Sequence, residues 1–244
     1  KVSMSFTSRI KEELSRHMSP ARHCQIAEIA AILSLCGRIQ ISGDDHYSIK
    51  IHTENVTVAR KCFTLLRKTF NIEMNVSTRQ SRNPRGSLSY EVTSFGGLEP
   101  VKHMLVQNQC CRRAYIRGAF LASGSLSDPE KGYHFEIVCS GEEKADELRE
   151  MLASFGIDAR ITLRKRSYVL YVKEGSQIAD LLNVMEAHVA LMKFENVRIL
   201  KEMRNSVNRQ VNCETANLNK TVSAAVKQIE DIQFIQRTIG FDEL

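Results

Sequence analysis

Glu28-Ile-Ala-Ala-Ile-Leu-Ser-Leu-Cys-Gly37 and Tyr115-Ile-Arg-Gly-Ala-Phe-Leu-Ala-Ser-Gly124 decide how this chain is read. Each is a helical run of small and apolar residues ending at a glycine, and the two lie 87 residues apart. An internal repeat of this length points to two pseudo-symmetric half-domains. Ala30, Ala31 and Ser34 in the first copy, and Gly118, Ala119 and Ala122 in the second, let two helix backbones approach closely. Side by side, these helices would form the seam between the halves.

The flanking sequence repeats the same order. Upstream of the first copy, Ser5–His17 reads as an amphipathic helix, with Phe6, Ile10 and Leu14 on one face. The first seam helix is expected from about Pro20 to Cys36, stopped by Gly37. Arg38–Ser42 and Tyr47–His52 alternate apolar and polar residues around Gly43-Asp-Asp45, a hairpin. Asn55–Phe70 is a helix carrying Val58, Cys62, Leu65, Leu66 and Phe70 on one side. Residues 72–79 and 87–94 form a second hairpin, turned by Asn83-Pro-Arg-Gly86. Gly96-Gly97 leads into a closing helix, Leu98–Gln107.

The second copy follows suit. A helix at Arg112–Ser123 is followed by strands near Ser125–Leu126 and at Tyr133–Cys139, about the turn Asp128–Gly132. A helix at Glu142–Phe155 precedes strands at Asp158–Leu163 and Tyr168–Val172, joined by Arg164-Lys-Arg-Ser167, and a helix at Gln177–Ala187 closes the copy. Phe70-Asn-Ile72 corresponds to Phe155-Gly-Ile157. The expected class is α/β in the broad sense (α+β), with two helix–hairpin–helix–hairpin–helix halves.

The expected organisation is an N-terminal helix at 1–19 and a duplicated domain at 20–188, with halves at about 20–108 and 109–188. A basic helix and linker would follow at 189–220, then a further helical segment at 221–244. Within 205–219, five asparagines suggest a linker or a broken helix. Met4 reads as a natural start.

Composition narrows the function. With 43% hydrophobic residues and only four prolines, the chain is expected to fold. A net charge of +6 favours an anionic partner. No signal peptide or membrane-length apolar run stands out. Seven cysteines without a CxxC pair read as reduced, buried thiols of a cytoplasmic protein. His17, His23, His46, His52, His103, His134 and His188 show no ligand spacing, so neither a metal nor a cofactor is expected. No P-loop, GxGxxG or Ser-His-Asp order is present.

Both opening segments resemble the motif of LAGLIDADG homing endonucleases. In that family an acidic residue directly before the motif glycine holds a divalent metal at the seam, because hard cations need anionic oxygen ligands. The matching positions here are Cys36 and Ser123, and neither is a carboxylate. Asp44, Asp45 and Asp128 lie past the helix ends, in turns. The resemblance therefore implies the scaffold of a nuclease without its catalytic acids.

Three further stretches narrow the resemblance: Cys111–His134, Asn208-Arg-Gln-Val-Asn-Cys-Glu-Thr-Ala-Asn-Leu-Asn-Lys220, and Ser5-Phe-Thr-Ser-Arg-Ile-Lys-Glu-Glu-Leu14. Together they resemble the WhiA family of bacterial sporulation and cell-division regulators. That family joins a degenerate homing-endonuclease domain to a C-terminal helix-turn-helix. The resemblance implies a non-enzymatic, nucleoid-associated transcription regulator that binds double-stranded DNA. It also implies a protein partner, a WhiB-type co-regulator or RNA polymerase, and hence an alternative role as an interaction module. Thr221–Ile239 resembles the start of the helix-turn-helix domain. With no recognition helix after it, that domain is expected to be largely absent.

Candidate DNA contacts fall in three groups. Arg79, Arg82 and Arg85 surround one hairpin tip, and Arg164, Lys165 and Arg166 form its equivalent in the second copy. Lys193, Arg198, Lys201, Arg204 and Arg209 recur at helical spacing. Cations on strand tips suit phosphates, although basic residues also protect sheet edges and helix pairs with Glu195 and Glu202 would compete. Tyr168 and Tyr171 could touch bases, but packing on the sheet is the simpler expectation.

Overall fold

A computed structural model describes residues 4–42, 46–71, 73–80, 88–95 and 108–238. The turns at 43–45 and 83–86, Arg82, Arg85, Gly96-Gly97, His103 and the helix expected at Leu98–Gln107 lie outside the described residues. The chain divides into two units, Lys1–Glu195 and Asn196–Leu244.

The first unit holds the duplication. Helix α1 (Phe6–Arg16) is capped by Ser5, whose Oγ accepts the Ser8 amide, and it buries Phe6, Ile10 and Leu14. Next come α2 (Arg22–Cys36), β1 (Gly37–Ser42), β2 (His46–Thr53), α3 (Val56–Phe70), β3 (Glu73–Gln80) and β4 (Leu88–Phe95). The second half is α4 (Gln109–Ser123), β5 (Gly124–Leu126), β6 (Phe135–Cys139), α5 (Glu142–Ala153), β7 (Arg160–Arg164), β8 (Ser167–Val172) and α6 (Gly175–Val184). Both sheets are antiparallel and share one topology, β1-β2-β4-β3 and β5-β6-β8-β7. The expected fold class and duplication are both present.

Register shows how closely the copies correspond. Gly37 pairs with Ile51 in the first sheet, and Gly124 pairs with Ile137 in the second. Asn71 and Gly156, which follow the third and fifth helices, both adopt left-handed backbone, with φ of 52° and 77°. Glycine and asparagine are the residues that reach this region at low cost. Inward-facing Ile51, Val92, Phe135, Ile137, Leu170 and Val172 cover one face of each sheet, and Phe120 stacks on Phe135 at 5.4 Å.

Helices α2 and α4 form the seam, packing more extensively than any other pair of elements. A Cβ on Gly118 would lie 2.3 Å from the Glu28 carbonyl oxygen, so only glycine permits this approach. Gly37 and Gly124 also serve proximity. Their φ values, −86° and −80°, suit any residue. A Cβ would instead lie 2.6 Å from the Leu33 carbonyl oxygen at Gly37 and 2.3 Å from Phe120 Cδ2 at Gly124.

The seam is not wholly apolar. Glu28 and Arg117, both inside the repeated segments, are fully buried and joined at 3.2 Å (Nε to Oε2). Lys61 Nζ lies 3.1 Å from Glu28 Oε1, and Arg117 Nη1 reaches Glu186 Oε2 at 2.5 Å. Arg117 also donates to Ser19 Oγ at 3.0 Å, and Lys61 to the carbonyls of Leu14 and His17. Four charges thus tie α2, α3, α4 and the segment after α6 together. Burial pulls the Lys61 ammonium below its ordinary value, and Glu28 opposes that fall.

Helix α7 runs over His188–Thr238. Glu13 caps its start: the carboxylate accepts the amides of Val189 at 2.7 Å and Ala190 at 2.9 Å. Anionic oxygens are favourable there because the first-turn N–H groups lack helical partners. In the first unit, Phe194 is buried against Tyr133, with ring centroids 5.4 Å apart. The linker or helix break expected at 205–219 does not occur. Those residues are helical, with i,i+4 bonds such as Gln210 Nε2 to Glu214 Oε1 at 3.0 Å. The asparagines that suggested a break sit on exposed helix, where their modest propensity penalty is tolerated.

Candidate nucleic-acid interface

The outward face of each sheet is a row of side chains in register. In the first sheet Arg38, Lys50, Thr93 and Asn75 lie side by side across β1, β2, β4 and β3. Their equivalents in the second are Ser125, Glu136, Tyr171 and Arg160. Arg38 and Arg160 are exposed, and Lys50 is half-buried with Nζ 3.3 Å from Glu91 Oε1. These cations were not singled out in the sequence, although strand alternation already marks Arg38 and Lys50 as outward positions.

Glu136 changes the character of the second row. Its carboxylate accepts the Ser125 hydroxyl at 3.1 Å, lies 3.1 Å from His134 Nε2 and is 3.6 Å from Arg164 Nη1. Arg164 thus leans back over its own sheet. Lys165 and Arg166 form the two-residue tip, both exposed, with Lys165 held at φ 58°. Arg79 falls on β3 opposite Ser89. Tyr171 lies on the outward face, 6.0 Å from His134 between ring centroids, while the Tyr168 hydroxyl donates to Glu142 at 3.2 Å.

The helical cations are arranged differently. Lys193, Arg204 and Arg209 are exposed, and Arg198 and Lys201 are half-buried. Arg198 Nη1 lies 3.4 Å from Glu202 Oε1, and Arg209 Nε donates to the Asn205 carbonyl at 3.3 Å. Within the second unit Leu200, Met203, Val207, Val211 and Leu218 are also exposed, an apolar series that the charge pattern had obscured.

At the C-terminal ends of α2 and α4, Cys36 and Ser123 occupy the positions before the glycines. Cys36 Sγ donates to the Ile32 carbonyl at 3.2 Å, and burial pushes its thiol up to about 11. Ser123 Oγ is buried without a hydrogen-bond partner among the described residues. The cleft at this end is lined by Lys11 together with His52 and Glu54. Lys11 lies 5.9 Å from the Phe120 ring centroid, lines this 610 Å³ cleft with Ala122, and is lowered to about 8 by burial, with Cys36 opposing. Asp128 is exposed in its turn, where Oδ1 accepts the Glu130 amide at 3.1 Å.

The cysteines depart from the uniform burial expected of them. Cys24, Cys62, Cys111 and Cys139 are buried, Cys36 is intermediate, and Cys110 and Cys213 are exposed. At the opposite, N-terminal ends of α2 and α4, the fold gathers His23, Cys24, Cys110 and Cys111. The histidine list had suggested no such grouping, because half of the set comes from each copy. Among the described residues, no helix is long and apolar enough to cross a membrane.

Comparison with known proteins agrees with the duplicated fold. Residues 22–101 match the family described as "WhiA N-terminal LAGLIDADG-like domain", and 112–204 match "WhiA LAGLIDADG-like domain". Residues 207–244 match "WhiA C-terminal HTH domain". This last match overturns the expectation that the helix-turn-helix domain is largely absent: the match begins at residue 207, upstream of the segment from Thr221 on which that expectation rested. The chain is 54% identical to the "Probable cell division protein WhiA" of Lachnoclostridium phytofermentans, covering 99% of this chain and 84% of that one. It is 48% identical to the protein of the same name from Alkaliphilus oremlandii, over 99% and 82%. Among solved structures, full-length WhiA from Thermatoga maritima shares the fold with a TM-score of 0.76 at 23% identity, over 99% of this chain and 82% of that one. A variant of the homing endonuclease I-DmoI, in complex with its target DNA, shares the fold with a TM-score of 0.51 at 13% identity, over 70% of this chain and 98% of that one. With three family matches spanning nearly its whole length and relatives of this similarity, the chain belongs to the WhiA family of LAGLIDADG-like, helix-turn-helix cell-division proteins.

Proposed function

We propose that this chain is a non-enzymatic, DNA-binding transcription regulator acting in sporulation or cell division, cytoplasmic and associated with the nucleoid. The observation that carries the reading is the contrast between face and seam. The outward faces and hairpin tips keep cations (Arg38, Lys50, Arg160, Lys165 and Arg166), whereas the helix-end positions before the two motif glycines are Cys36 and Ser123, neither a carboxylate, with Lys11 and Glu54 in the cleft beside them. Phosphate contact needs such cations, and two-metal cleavage needs carboxylates at those helix ends. Arg79, Arg82, Arg85, Arg164, Lys165 and Arg166 would meet phosphates at the hairpin tips, and Lys193, Arg198, Lys201, Arg204 and Arg209 would do so along α7. The helix-turn-helix segment supports sequence-specific recognition, with the sheets adding salt-sensitive affinity.

The test is a fluorescence-anisotropy titration of duplex DNA at several salt concentrations, run in parallel with plasmid incubation in Mg²⁺ or Mn²⁺. Affinity is expected to fall steeply with salt, and the plasmid to stay intact. Lys50→Glu is expected to weaken binding and Glu136→Lys to strengthen it, since one removes a cation from the face and the other adds one. A flat salt response, or nicking lost on Lys11→Met, would overturn the reading.

A second role rests on the exposed apolar series Leu200, Met203, Val207 and Val211. Such a series suits a protein partner, of which a WhiB-type co-regulator and RNA polymerase are the candidates. Loss of partner recruitment with intact DNA binding in Met203→Lys/Val207→Lys would support that role.

A further inference from the structure

The two seam helices begin as well as end on equivalent residues. His23 and Cys110 are separated by the repeat offset of 87 residues, and so are Cys24 and Cys111. The fold brings all four to one place, with a ring nitrogen of His23 and the three sulfurs within 4.8 Å of one another. His23 Nδ1 lies 3.1 Å from Cys111 Sγ and 3.3 Å from Cys24 Sγ. A tetrahedral zinc site with Zn–S of about 2.3 Å and Zn–N of about 2.0–2.1 Å has ligand–ligand edges of about 3.5–3.8 Å. The observed separations bracket those edges, so small rotamer shifts would close the site.

We propose that His23, Cys24, Cys110 and Cys111 form a structural Zn²⁺ site that staples the N-terminal ends of the two half-domains. The donor set is three thiols and one imidazole, a combination typical of closed structural zinc sites and suited to a borderline-soft cation. Burial divides the set in a useful way. Cys24 and Cys111 are buried with Ala27 and Ala114 in a small cluster apart from the main core, while His23 and Cys110 are exposed. The buried pair would fix the metal between the helices, and the exposed pair would close over it from solvent. Three thiolates on Zn²⁺ leave one net negative charge. The first turns of α2 and α4, which no side chain caps, and the adjacent Arg22, Arg112 and Arg113 would stabilise that charge. The metal binds by displacing three thiol protons to solvent, with no redox change.

This site has no counterpart in nuclease chemistry. It lies at the ends of α2 and α4 opposite to Cys36 and Ser123 and uses soft rather than hard donors. Its role would be to hold the two copies together where the main core does not reach.

The test uses the full chain, reduced and stripped of metal, then incubated with zinc sulfate, desalted and measured by elemental mass spectrometry. One zinc per chain is expected. Cobalt(II) in its place should give the visible bands of a tetrahedral site with a thiolate charge-transfer band in the near ultraviolet. Cys24→Ser/Cys111→Ser should lose both signals. Should that buried pair fail to fold, as judged by circular dichroism, the exposed pair His23→Ala/Cys110→Ser gives the same readout on a folded protein. Cys36→Ser/Cys213→Ser should keep the metal. Folded, reduced wild type that takes up no zinc would overturn the proposal. So would one zinc per chain retained in His23→Ala/Cys110→Ser.

Discussion

The two ends of the α2–α4 pair make an instructive contrast. At the C-terminal end, where homing endonucleases place metal-binding acids, this chain has Cys36, Ser123 and the desolvated Lys11. At the N-terminal end it has an imidazole and three thiols within a few ångströms. Between them Glu28 and Arg117 join the helices through buried charge. The same pseudo-symmetric packing thus supports opposite chemistry at its two ends. Backbone proximity comes from Gly118 and the alanines, and what that proximity accomplishes depends on the side chains at each end.

The largest expected effect lies in the middle. Arg117→Met leaves Glu28 and Glu186 without their shared guanidinium, and removing one partner of a buried ion pair costs about 3–5 kcal/mol. Urea unfolding should show that loss, and a change below about 1 kcal/mol would mean the ends are held together independently of the bridge. Next is the N-terminal end. If zinc staples it, chelation should lower the melting temperature of the wild type by about 2–4 °C for each kcal/mol the metal contributes. Cys36→Ser should respond to chelator as the wild type does, and His23→Ala/Cys110→Ser should not respond. Equal responses would erase the distinction between the ends.

The C-terminal end should respond to pH. Lys11 titrates at about 8 in the fold and near its ordinary value when unfolded, so the folded state binds its proton less readily. Its charge therefore costs stability below about pH 8, and that cost disappears as pH rises through the interval up to the unfolded value. Lys11→Met is expected to stabilise the protein by about 1–2 kcal/mol at pH 7, after allowance for partial solvent access, with the gain fading at high pH. Denaturant titrations at pH 7 and pH 10 check this. The smallest effect serves as a control away from both ends. Lys165→Gly relieves the left-handed backbone at the hairpin tip and should add about 1 kcal/mol of stability while weakening DNA binding.

Much of the architecture was legible beforehand. Apart from α7, strand alternation and helix periodicity located the described elements to within a few residues, because those patterns reflect local geometry. Asn71 and Gly156 were matched from sequence, and both proved left-handed. Cys36 and Ser123 were placed correctly at the helix ends. The reading failed where locality failed. The buried partners of Glu28 and Arg117 were missed, although a lone charge in each apolar repeat was a usable signal. The outward row of Arg38 and Lys50 was not evident because strand pairing, not chain order, sets them side by side. The supposed break at 205–219 came from counting asparagines, which weaken a helix by only a fraction of a kcal/mol each.

The sequence by itself determined the duplication, the element order and the absence of carboxylates before the two motif glycines, since each depends on residues close together along the chain. Only the tertiary structure decided that Glu28, Lys61, Arg117 and Glu186 share one buried network, that Lys50 and Glu136 give equivalent sheets unlike charge, and that His23 and Cys24 meet Cys110 and Cys111. The reason is physical: an ion pair or ligand cluster depends on distances of a few ångströms in space, and close helix packing brings together groups that the chain keeps 87 residues apart.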